Sequence, residues 1–221
     1  MDFFSTVVRF FQNGGPFMYP IAIVLVIGLV IAIERFVVLS QAKRANQQAF
    51  GRVMPLLKKR DYQAVINMGR NDEAPIARIV AAGVSRMGGS GGRDEIELAM
   101  EEGVLEAMPR LEKRTPYLAT LANIATLLGL LGTIIGLIAA FTAVAEADPA
   151  EKATLLSNSI SVAMNTTAFG LISAIPLLLF HAMLQTKTTE LVDSLEMTGV
   201  RCLNLLTNTA RPAAPKANAN A

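Results

Sequence analysis

Apolar residues gather into three charge-poor runs, Phe17 to Ile33, Leu118 to Val144 and Leu155 to Leu184, and the stretches between them are charged and amphipathic. Each run is long enough for a helix to cross a hydrocarbon core of ~30 Å, which takes roughly 17–25 residues. The first run exceeds the roughly 7–15 apolar residues of a secretory signal. Glu34-Arg35-Phe36 follows it where small cleavage-site residues would stand. The pattern predicts an all-α integral membrane protein with three transmembrane helices, at 17–39, 117–145 and 155–185, and long cytoplasmic helical extensions.

The remaining segments divide by their own periodicity. Residues 1–16 hold Phe3, Phe4, Val7, Val8, Phe10 and Phe11 before Asn13-Gly14-Gly15-Pro16, which reads as an outer interfacial helix and a turn. Region 40–116 reads as helices over 41–60, 61–69 and 74–86, closed by the Gly88 to Gly92 loop. Beyond it, Ile96, Met100, Val104, Met108 and Leu111 recur at three- and four-residue spacing. That spacing predicts an amphipathic helix leading into the second span, with Asp94 and Glu95 at its positive end and kinks at Pro109 and Pro116. Segment 146–154 is a short turn between spans. Segment 186–207 continues as a helix with Leu191, Leu195, Thr198 and Cys202 on one side. Residues 208–221, rich in Ala, Asn and Pro, read as a disordered tail.

Charge adds orientation. Lys43, Arg44, Lys58, Lys59, Arg60, Lys113, Arg114 and further basic residues lie between the first and second spans, whereas the outer turn has Lys152 alone. By the positive-inside rule that large segment and the C-terminal tail face the cytoplasm, and the N-terminus faces the opposite side. A net charge of +2 on 221 residues, with no basic run interleaved with aromatics, argues against nucleic acid. Cys202 cannot form an internal disulfide and reads as an inert packed thiol. One His, one Cys and no paired carboxylates supply neither nucleophilic nor metal chemistry, so no enzyme activity and no cofactor are expected.

Polarity inside the spans carries the functional signal. The second span contains Asn123, Thr126 and Thr133 with glycines at 129, 132 and 136, and Gly132 and Gly136 make a small-xxx-small pair for close helix approach. The third span opens with Asn158 to Thr167, too hydrophilic to face lipid on every side. Counting from a turn centred near Ala150, Thr133 and Thr167 are equally far along their helices and form one polar level. Thr126 and Ser173 are explained by bonds to their own helix. Asn165, Thr166 and Thr167 are consecutive and deep, stand opposite Thr133, and precede Pro176, a helix-distorting residue. This cluster predicts an ion path or pore lining. No Asp, Glu or Lys stands at that depth, so a proton would be held by a partner or pass through water.

The stretch from Leu131 through Gly132-Thr133-Ile134-Ile135-Gly136 to Leu137, with Asn165-Thr166-Thr167-Ala168-Phe169-Gly170-Leu171-Ile172-Ser173-Ala174-Ile175-Pro176, resembles the paired signature of the MotA/TolQ/ExbB proton-channel family. The three-span layout and large basic segment are similar to ExbB and TolQ more than to the four-span MotA type. The resemblance implies a homopentamer in the bacterial inner membrane around single helices of an ExbD- or TolR-like partner. That partner's membrane Asp would take the proton, and ion flow would energise a TonB- or TolA-like protein acting toward the outer membrane. It implies pore-facing positions for Thr133 and Thr167, and packing roles for Gly132, Gly136, Gly170 and Pro176. Val162 stands where ExbB and TolQ usually carry a glutamate. With Asn165 and Thr166 adding oxygen ligands, sodium coupling stays open beside proton coupling, as does a passive scaffold.

Overall fold

A computed structural model describes residues 10–11, 14–87 and 92–210, the side chains of 208–210 excepted. Among the described residues it contains helices and no strand: α1 (Met18–Lys59), α2 (Tyr62–Asn71), α3 (Pro75–Arg86), α4 (Arg93–Glu112), α5 (Thr115–Glu146) and α6 (Lys152–Ala210). Three stretches, in α1, α5 and α6, are long and apolar enough to cross a membrane. The expected outer helix (apart from Phe10, Phe11 and the turn at 14–16), most of the glycine loop and the tail beyond Ala210 lie outside the described residues.

The chain forms two units. The first contains the described residues up to Phe36 together with Arg114–Gln185, and so holds all three apolar stretches. On α1, Met18, Ile21, Gly28, Ala32 and Arg35 are buried, while Tyr19, Ile23, Val26, Val30 and Ile33 are exposed on the other side. Three- and four-residue steps place the first set on one helical stripe. The second set is a wholly apolar outer face, the side a membrane helix can turn to lipid. Gly28 lets α1 approach α6, where Leu177 fills the space a side chain would need.

One boundary differs from the sequence reading. Pro109 and Pro116 do not kink a helix that runs on into the second span; they bracket a break. Pro109 sits in the last turn of α4 and its carbonyl accepts the Lys113 N–H at 3.1 Å. Arg114 then takes a left-handed conformation (φ 67°), and Pro116 lies in the first turn of α5. Proline suits a first turn, where its missing N–H needs no partner.

The second unit contains the described residues of Val37–Lys113 and those from Thr186 onward. Ile96, Met100, Val104 and Leu111 of α4 are buried as their spacing predicts, but Ala107 takes the core position and Met108 stays partly exposed. Asp61 caps α2 by accepting the Ala64 N–H at 3.1 Å. Helix α3 lacks a side-chain cap of its own, and Asn46 of α1 supplies one: its buried Oδ1 accepts the Ile76 N–H at 3.1 Å. Arg52 pairs with Asp72 at 2.7 Å. On the last part of α6, Leu191, Leu195, Cys202 and Leu206 face this core.

Candidate ion pathway

Helices α5 and α6 pack through glycine. A methyl group on Gly129 would lie 3.2 Å from the Cα of Gly170, and one on Gly170 would lie 2.8 Å from the Ala125 carbonyl. Gly132 meets the Thr166 side chain, and a methyl on Gly136 would lie 3.1 Å from Cβ of Ala163. These contacts run antiparallel: as residue numbers rise along α5 they fall along α6. Thr133 and Thr167 therefore sit within about two residues, or ~3 Å, of one level. Small residues at each crossing point are what let two membrane helices bring their backbones this close.

At that level the hydroxyls point their hydrogens at carbonyls. Thr133 is partly exposed and its Oγ1 donates to the Leu130 carbonyl at 2.6 Å. Thr167, also partly exposed, donates across the helix pair to the Gly129 carbonyl at 2.9 Å. A hydroxyl has one hydrogen and two lone pairs, so each retains acceptor capacity toward a water or a cation. Asn165 is partly exposed on α6, about 160° around the helix from Thr167, and Asn123 is exposed on α5. Thr126 donates to the Ala122 carbonyl of its own helix at 3.1 Å, as expected for a hydroxyl that needs no partner elsewhere.

Thr166 is placed differently from its two neighbours in the cluster. It is 2% exposed, and its hydroxyl reaches the Gly14 carbonyl at 2.5 Å and the Val162 carbonyl at 3.1 Å. It fastens the turn before α1 to the apolar first part of α6. Gly15 turns there with φ 73°, a conformation that favours glycine, and the Val162 side chain lies against it. The ring of Phe169 adds a second clamp, meeting Phe10 at 6.3 Å and Phe11 at 5.5 Å edge to face. Sequence reasoning missed this anchor. Its only signal was a glycine pair in a turn, and the chain distance to Thr166 hides the contact.

Elsewhere in this unit Glu34 of α1 receives the Arg114 guanidinium, one nitrogen lying 2.7 Å from each carboxylate oxygen. That hydrogen bond and the adjacent negative charge raise the Arg114 pKa further above its ordinary value. Pro176 lies within α6 without ending it, so its missing N–H leaves the Ile172 carbonyl without the usual donor. The Ser173 hydroxyl is fully buried, with no hydrogen-bond partner among the described residues. Both groups follow Gly170 on the third span.

The model of the MotA/TolQ/ExbB proton channel family matches residues 71–197, more than half of the 221-residue chain and both helices of the glycine-packed hairpin. The chain belongs to that family. A Methanothermobacter thermautotrophicus protein named as an ExbB homolog is 29% identical over 199 residues, covering 89% of this chain and 69% of its own. An ExbB-like protein of Synechocystis is 29% identical over 168 residues, 76% of this chain and 79% of its own. The Tol-Pal system protein TolQ of Haemophilus influenzae is 34% identical over 95 residues, 42% of this chain and 40% of its own. Membership in this family accounts for three apolar stretches of which the second and third carry hydroxyls and amides.

Proposed function

We propose that this chain is the ion-conducting subunit of a bacterial inner-membrane motor, with Thr133 and Thr167 lining the path. Several copies, five by the family resemblance, surround a single-span ExbD- or TolR-like helix whose carboxylate accepts the proton. The motion energises a TonB- or TolA-like protein that reaches toward the outer membrane. The basic segment between the first and second spans, with the C-terminal part, faces the cytoplasm, and the turn near Ala150 faces the periplasm.

The observation that carries this reading is the pair of half-exposed hydroxyls at one level, both with hydrogens committed to carbonyls. What they offer a lumen is oxygen lone pairs, which suit hydronium, a water wire or a partially dehydrated cation. Val162 places no carboxylate here, so the titrating group is the partner's. Thr166, packed against Gly14, serves the subunit's own structure and the path is left to its neighbours.

The double variant Thr133→Val plus Thr167→Val tests this in cells. Valine keeps the shape and removes the oxygen. A conducting subunit assembles with its partner at normal levels yet loses partner-dependent activity; a passive scaffold retains that activity, an outcome that contradicts the proposal.

A further inference from the structure

The second unit has two apolar grooves outside the membrane-spanning stretches. The first, about 370 Å³, lies between α4 and α6 and is floored by Met108, Val200 and Leu203 beside Leu105. Leu105 is 63% exposed and Val200 52%, more than water-facing residues of these types favour when clustered. Its rim is acidic: Glu101 and Glu196 have no ion pair among the described residues, and Glu97 lies 3.9 Å from Arg93. The second groove, about 430 Å³, lies between α1 and α6, lined by Phe50, Met54 and Leu205. Its charges have the opposite sign. Lys58 and Arg201 line it, and neither has an ion pair among the described residues.

The grooves share α6 and lie on roughly opposite sides of it. At ~100° per residue, Glu196, Val200 and Leu203 fall on one side and Arg201 and Leu205 on the other. Two complementary patches facing away from each other cannot be satisfied by a two-fold dimer, in which one patch meets itself. They match a head-to-tail contact. We propose that the acidic groove of one copy receives the basic groove of the next, so that this unit closes a homomeric ring through Leu105 and Val200 packed against Phe50 and Met54. Glu101 and Glu196 then meet Lys58 and Arg201. Apolar area supplies the attraction and the charges set the register and exclude groove-to-like-groove pairing. The inference rests on the multi-copy assembly in the proposed function and names the surface that builds it.

The experiment is sulfhydryl cross-linking of the full-length protein in membranes with a short bis-maleimide. Leu105→Cys plus Met54→Cys in one chain gives a ladder ending at a finite ring, whereas a mixture of chains carrying one cysteine each stops at dimers. Glu101→Lys plus Glu196→Lys lowers the cross-linked fraction at least tenfold. Adding Lys58→Glu plus Arg201→Glu to that chain restores it to within twofold, which a mere folding defect would not allow. An oligomeric native mass with no ladder, or with charge reversals that change nothing, overturns this interface and leaves the assembly standing. A monomeric native mass overturns both.

Discussion

At the residue scale, chemically similar threonines divide by what their oxygens meet. Thr166 is the buried one, and its hydroxyl satisfies the Gly14 carbonyl. Thr166→Val should destabilise the membrane unit by about 1–3 kcal/mol, because a buried carbonyl loses its donor, while Thr166→Ser restores most of the stability. Thermal unfolding in detergent measures both. Cys202 is buried, and desolvation pushes its thiol up to about 11. The folded state thus favours the neutral thiol. That contribution is fully present below the unfolded-state value of about 8.5 and is lost as pH rises toward 11, a window worth roughly 3 kcal/mol. The loss of stability between these pH values should be smaller by that amount in Cys202→Ala, and maleimides should label Cys202 only after denaturation. Burial of this thiol was legible from its place on the Leu191, Leu195 stripe. The inward turn of Thr166 was not, since adjacent helix positions differ by ~100° and only the neighbouring helices decide which of them faces inward.

At the element scale the sequence shows helices more reliably than their ends. Apolar runs and the Ile96 to Leu111 spacing marked the helices, but Pro116 opens α5 and does not bend a longer one, because what precedes it is a left-handed residue that no periodicity records. The cap that Asn46 gives α3 spans 30 residues of sequence and was equally invisible. Asn46→Ala should destabilise the second unit by about 1 kcal/mol, the usual cost of a lost cap, read as a lower unfolding midpoint. The glycine seam was legible as small residues at four-residue spacing, and the structure ranks its members. Gly170 faces backbone on α5, the Ala125 carbonyl and Gly129, which cannot rotate away. Gly170→Ala should therefore separate α5 from α6 and abolish ion flow and much of the stability. Gly51→Ala on α1, where nothing lies within 4 Å, should leave folding intact or improve it.

At the scale of the whole molecule, three apolar stretches and the family match place the chain in a membrane, and the charge pattern supports the proposed orientation. A cysteine at Ala150 should react with an impermeant maleimide from the periplasmic side, and one at Lys58 only after the inner membrane is opened. The level formed by Thr133 and Thr167 was readable from chain distance to the turn, since two helices of equal rise fix depth. Which groups complete the path was not, because the carboxylate is proposed to belong to another chain. The most direct test of the account is ion uptake by proteoliposomes holding this protein co-purified with its single-span partner. With an imposed pH gradient the wild-type complex should acidify the lumen and the Thr133→Val, Thr167→Val complex should do so at least tenfold more slowly. Thr142→Val, which removes a hydroxyl that donates to the Ile138 carbonyl of its own helix, should match the wild type. Equal proton uptake by wild type and the double variant would contradict the account.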